Sequence, residues 1–172
     1  MDNACRQYIN EIARLVRDVY HISTPLVDME QVIQAMNGRI VVKKDLDTLC
    51  DGTVAKEGDS FVIAVPPNET ESQRRFTLAR ALGHVFLHMG FRINPMVWGK
   101  LKDGEFIRFD SAPAEYQANE FALALFMPKG EYVAYVDTLK AKGMVDVRDV
   151  AKHFNVTFEN ALQRGRRLEV IK

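Results

Sequence analysis

Residues Arg74 to Met89, RRFTLARALGHVFLHM, constrain the fold more than any other stretch of the chain. Turn-forming segments flank it, VPPNETES before and RINPM after, so it reads as one helix of about four to five turns. Thr70-x-x-Gln73 opens it as a capping box, in which each side chain satisfies a free backbone N–H. At about 100° per residue, Leu78, Leu82, Val85 and Met89 fall on one stripe, and Phe76, Ala79, Gly83, Phe86 and Leu87 fill most of the remaining circumference. A helix apolar nearly all round is a buried helix. Its polar residues, Gln73, Thr77, Arg80, His84 and His88, share a single wedge instead of scattering. An unpaired buried polar group costs about 1–3 kcal/mol, so the wedge must meet partners on a facing element or border a cleft.

The elements around it follow from periodicity and punctuation. Asn3 to Tyr20 is an amphipathic helix, with Tyr8, Ile9, Ile12, Leu15, Val16 and Val19 at helical spacing. Asp28 to Met36 is a short helix stopped by Asn37-Gly38, and Arg39 to Lys43 is a strand. Gly52 to Lys56 and Ser60 to Val65 read as two more strands joined by the turn Glu57-Gly58-Asp59, giving a small sheet of about three strands whose last member feeds the long helix. Gly90 to Pro113 has no clean period and reads as a long loop anchored by Trp98, with the methionines as core fillers.

Ala114 to Phe126 is a second helix. Glu115, Ala118, Asn119 and Ala122 share one of its faces, small enough for close approach, with Gly83 as the natural contact on the first helix. Glu115 then stands where it reaches the polar wedge. Pro128 to Lys142 forms a further helix, and Asp146 to Phe154 and Thr157 to Leu168 form a pair joined by Asn155-Val156.

A length of 172 residues suits one domain, and 47% hydrophobic with 27% charged residues is ordinary for a globular chain. Net charge is zero, so no global electrostatic argument favours nucleic acid or a membrane surface. Cys5 and Cys50 lie far apart and outside any ligand spacing, as expected of free thiols in a reducing cytoplasm. Neither a signal peptide nor a membrane-spanning run is expected, and the expected location is cytoplasmic. His21 and His153 are expected to be ordinary surface histidines.

The succession of a strand, FTLA–x–x–LGHVFLH, and E–x–QAN–x–FA–x–x–LFMP resembles the ImmA/IrrE family of zinc metallopeptidase-like proteins. The likeness covers most of the chain and is strongest at Arg75 to Met89 and Glu115 to Pro128. Members of that family carry His-Glu-x-x-His on the first helix and an acidic third ligand on the next. Carried over by position, His84 is the second histidine and Glu115 the acidic ligand, the two residual metal positions. Arg80 stands at the first histidine and Ala81 at the glutamate that serves as general base, so the motif reads RALGH and no catalytic set is intact.

A catalytic zinc needs three protein ligands and an open position. A guanidinium is cationic and has no lone pair to donate, and alanine takes no proton from an attacking water. The expectation is therefore that Arg80 pairs bidentately with Glu115, supplying the positive charge that zinc would have supplied. The alternative keeps zinc one turn further along, on His84, His88 and Glu115.

The C-terminal pair also has helix-turn-helix rhythm, and Arg164, Arg166 and Arg167 on its second helix suggest DNA contact. Against this stands a packing subdomain whose arginines are solvated charges, which the resemblance favours.

The expected architecture is α+β: a small antiparallel or mixed sheet with a helical zincin-like core (residues 1–128), then a C-terminal helical, helix-turn-helix-like subdomain (residues 129–172), all one domain. The resemblance implies a regulatory role, often encoded on mobile elements. The leading expectation is a catalytically degenerate member without a resident cofactor that binds a protein partner such as a helix-turn-helix repressor. An active zinc endopeptidase that cleaves such a repressor, and a direct DNA binder, are the alternatives.

Overall fold

Two-residue turns, caps and one uninterrupted apolar strand set the framework of the computed structural model, which describes residues 1–44 and 52–171. β2 (Thr53–Glu57) and β3 (Ser60–Val65) form an antiparallel hairpin with Val54 opposite Ile63. Its turn is Gly58-Asp59, and Gly58 takes φ 58°, the left-handed conformation that a tight hairpin turn demands and glycine adopts without strain. β1 (Arg39–Val42) lies parallel on the other side of β3, with Ile40 opposite Ile63. Phe61 to Val65 are all buried, because β3 is covered on both faces.

Among the described residues the sheet has four strands in the order β1-β3-β2-β4, against the expected three. The added strand, β4 (Phe106–Ile107), pairs antiparallel with β2 inside the stretch read as a loop. Two residues are too short to show alternation, so this strand exists only through its partner. The same stretch holds α4 (Pro95–Lys100), N-capped by the Asn94 side chain on the Val97 N–H at 3.2 Å. Asn followed by Pro at the first helical position is a start signal that the sequence did carry. Trp98 packs against Phe91, with ring centroids 5.1 Å apart and planes tilted by 59°.

α3 (Glu71–Leu87) begins with the expected capping box, Gln73 N–H to Thr70 Oγ1 at 3.3 Å and Thr70 N–H to Gln73 Oε1 at 2.9 Å. Leu78, Leu82 and Val85 are buried, and the helix packs across β2 and β3. α5 (Ala112–Phe126) crosses it where Gly83 meets Ala118. A Cβ added at Gly83 would lie 2.9 Å from Ala118 Cα and 3.1 Å from its carbonyl oxygen, both backbone atoms that cannot yield. Gly83→Ala should therefore push the two site helices apart and cost about 1–3 kcal/mol, read as a lower midpoint in thermal unfolding.

α1 (Asn3–Val19) runs beside α5 in the same direction, with Asn10 against Glu120 and Arg17 Nη1 donating to the Leu125 carbonyl at 2.7 Å. It buries Ile9, Ile12, Ala13 and Val16, whereas Tyr8, Leu15 and Val19 are exposed. The helix is amphipathic as expected, but only half of its periodic apolar residues face α5, because a helix touching one neighbour covers a narrow stripe. α2 (Met29–Ala35) is N-capped by Asp28 and leads into β1.

After α6 (Lys129–Ala141), α7 (Val147–Phe154) ends on Asn155 in the left-handed conformation, and Thr157 N-caps α8 (Phe158–Arg167). One hydrophobic core runs from Ile9 on α1 through α3 and α5 to Phe154 and Ala161. The Tyr132 hydroxyl donates to the Ala161 carbonyl at 2.6 Å, tying α6 to α8. His21 is exposed, and His153 is exposed with its ring stacked on Tyr135 at 3.8 Å. Cys5 is a free, half-buried thiol, and Cys50 lies outside the described residues. Among the described residues no helix is long and apolar enough to cross a membrane.

Candidate functional site

The polar wedge of α3 faces the first turns of α5, as the Gly83–Ala118 crossing requires. Arg80 Nη2 donates to Glu115 Oε2, and the two side chains are 18% and 29% exposed, so the pair sits at the mouth of the wedge. Glu115 Oε1 lies 3.5 Å from His84 Nε2. His84 Nδ1 is 2.9 Å from His88 Nδ1, and His88 Nε2 is 2.8 Å from Gln117 Oε1. Gln117 Nε2 in turn points at Cys5 Sγ, 3.7 Å away on α1. The row of polar contacts therefore runs from Arg80 through Glu115, His84, His88 and Gln117 to Cys5.

With both rings neutral, the acceptors in that row select one pair of tautomers. An amide oxygen only accepts, so His88 carries its proton on Nε2 and presents a lone pair at Nδ1. His84 then donates from Nδ1, which leaves its Nε2 unprotonated toward Glu115. Phe109 covers both rings, stacked on His84 with centroids 4.8 Å apart and planes at 4°, and 5.1 Å from His88. A cleft of about 220 Å³ remains beside this lid, lined by Gly52, His84, Arg108, Phe109, Asp110 and Glu115.

His84 is held neutral. Burial, then repulsion from the cationic form of His88 and from Arg80, brings its pKa down to about 3 from the ordinary 6.5. Glu115 opposes this from 3.5 Å, but Arg80 already takes up its charge. A histidine in the unfolded chain takes its proton near 6.5 and the folded one only near 3. Between those values the unfolded state binds the extra proton, so acidification favours unfolding, by about 1.4 kcal/mol per pH unit. Stability measured by urea titration should fall as pH drops below 6.5, and His84→Gln should flatten that slope.

The expected residues divide into those that converge and those that do not. Arg80, His84 and Glu115 meet at one point. His88 sits beside them, but its two nitrogens face His84 Nδ1 and Gln117, away from the place where His84 Nε2 meets Glu115. Ala81 is 1% exposed and offers no polar atom. Among the described residues no three His, Cys, Asp or Glu side chains are grouped to hold a metal ion. With Arg80 in the first ligand position and its guanidinium on the carboxylate, the residues present do not fit a zinc ion.

This constellation sits on a fold with known relatives. A family model described as the IrrE N-terminal-like domain matches residues 36–165. The chain belongs to the ImmA/IrrE family. A solved Mycobacterium tuberculosis transcriptional regulator shares the fold with a TM-score of 0.58 at 16% identity, over 92% of this chain and 46% of that one. The chain thus spans about half the length of that regulator. No curated protein sequence matches it significantly. The wedge of this chain carries Arg80 and His84 in the run RALGH.

Sequence reasoning missed Phe109 and Gln117, the lid and the second anchor of the histidine pair. Gln117 carried a faint signal, a polar residue two positions after Glu115, whereas Phe109 came from a segment without periodicity. The C-terminal arginines also differ from expectation. Arg164 is 0% exposed and Arg167 is bound to Glu120, so of the three only Arg166 is an exposed charge. Their helix packs against α5, and a buried Glu120 turns two of them inward.

Proposed function

We propose that this chain is a catalytically silent ImmA/IrrE member that regulates by binding a protein partner. The observation that carries this reading is the Arg80 guanidinium on the Glu115 carboxylate. It places a fixed positive charge where a metal would supply one, without a lone pair to ligate zinc or a base at Ala81 to activate water. Arg80 and Glu115 hold the two site helices together at their open end, and this organised surface is what remains for recognition. The family resemblance makes a helix-turn-helix repressor the leading partner.

The inward turn of Arg164 and Arg167 weighs against direct DNA binding, because the second helix of the pair keeps few cations for phosphate contacts. Incubating the purified chain with the repressor encoded beside it, with and without chelator, tests the proposal. Complex formation without cleavage, unchanged by chelator, is expected. Cleavage that chelator abolishes would instead make the chain a zinc endopeptidase.

A further inference from the structure

On another face of α5, a turn and a half beyond Glu115, Glu120 is fully buried and faces three guanidiniums. Arg164 Nη1 reaches its Oε1 at 3.0 Å, Arg167 Nη1 reaches Oε2 at 2.8 Å, and Arg6 Nε stands 3.8 Å from Oε2. Asn10 Nδ2 also donates to Oε1 at 2.8 Å. One buried carboxylate thus serves three guanidiniums in a chain whose net charge is zero.

The three arginines differ in how their donors are used. Arg164 commits all three nitrogens, with Nε on the Met127 carbonyl at 2.9 Å and Nη2 on Asn10 Oδ1 at 2.7 Å. Arg6 donates from Nη1 to Asn3 Oδ1 at 3.3 Å, and among the described residues its buried Nε has no hydrogen-bond partner, with Glu120 Oε2 3.8 Å away. Each guanidinium has five N–H groups, and a buried one without an acceptor is costly.

Arg6 and Arg167 line a cavity of about 550 Å³ together with Asn10, Lys129 and Gly130. That volume lies in the range of small-molecule sites. Lys129 and Gly130 are the first residues of α6, whose N-cap is Pro128 and which no side chain caps. An uncapped helix start presents free backbone N–H groups and the positive end of the helix dipole. Of the acidic residues on the lining, Glu11 is held by Arg14 through both oxygens, at 2.5 and 3.0 Å, and Glu169 is exposed at the rim.

We propose that this cavity binds a phosphate-bearing small molecule, with Arg6, Arg167 and the first N–H groups of α6 as its donors. The clustered guanidiniums of Arg6 and Arg167 and the uncapped start of α6 border the same half-open cavity, and together they call for an anionic acceptor there. The proposal is independent of the Arg80–Glu115 site. Arg164 and Glu120 support the cavity from behind, and Arg6 and Arg167 face the ligand.

Calorimetric titration of the full chain at low salt with inorganic phosphate, pyrophosphate and ADP tests this. Saturable binding of pyrophosphate is expected, about tenfold or more weaker in Arg6→Gln, as loss of one charge-assisted contact implies. ADP binding tighter than pyrophosphate identifies a nucleotide as the natural source, and equal or weaker binding identifies a simple phosphate. Amide resonances of Lys129 and Gly130 should shift on pyrophosphate addition, a readout in the unmodified chain that needs no variant. The proposal is overturned by an absence of saturable pyrophosphate binding, by Arg6→Gln binding as tightly as the parent chain, or by unmoved Lys129 and Gly130 resonances.

Discussion

Glu120→Ala should destabilise the chain by about 3–5 kcal/mol, the largest loss expected of any single substitution described here. The magnitude comes from what the substitution leaves behind. Arg164 is 0% exposed, with its guanidinium fixed by Met127 O and Asn10 Oδ1, so it cannot swing into water when its counter-charge is removed. Arg167 loses its 2.8 Å bond and Arg6 its nearby carboxylate, and three like charges then face one another. A surface ion pair such as Arg14–Asp18 contributes far less, because water replaces the lost partner. Urea unfolding of Glu120→Ala and of Glu120→Ala/Arg164→Met separates the two costs. The double variant should recover much of the loss, since it no longer buries Arg164 as a lone charge. An equally unstable double variant would locate the cost in packing instead.

Arg80→His should give a chain that zinc stabilises, where the parent chain is expected not to respond to zinc. The substitution removes the guanidinium from Glu115 and places an imidazole one helical turn before His84, whose Nε2 already faces the carboxylate at 3.5 Å. Two histidines at i and i+4 with an acidic third ligand make a three-ligand zinc set with an open position. Zinc that binds only the folded state stabilises it by about 4 kcal/mol at a thousandfold excess over Kd. Thermal midpoints with zinc and with chelator should diverge in the variant and coincide in the parent chain. Adding Ala81→Glu is expected to be necessary for any peptide hydrolysis, because position 81 alone offers a base beside the metal. A parent chain whose midpoint rises with stoichiometric zinc would remove the basis for calling the site silent.

The legible part of the fold was the part fixed by local rules. The capping box at Thr70, the proline-flanked α3, the hairpin at Gly58 and the left-handed Asn155 all depend on a few neighbouring residues. β4 and α4 were harder, since a two-residue strand has no period and a short helix has too few turns to show one. The Arg80–Glu115 pair was legible because helical spacing, a small-residue crossing at Gly83 and charge complementarity converge on the same contact. The Phe109 lid was not, because it reaches the histidines through an irregular segment whose path depends on β4 pairing with β2.

The sequence by itself determined the two site helices, their polar residues and the family pattern, with Arg80 and Ala81 in two of its positions. These follow from periodicity, capping and residue chemistry, which act over a few positions along the chain. Only the tertiary structure decided which charges are buried. Arg164 read as a solvated cation, but it meets Glu120, 44 positions earlier, in the core, and the two neutralise one another. Burial depends on which faces of α1, α5 and α8 close together, and desolvation, acting through that packing, turns ordinary surface residues into a fixed network with donors left over.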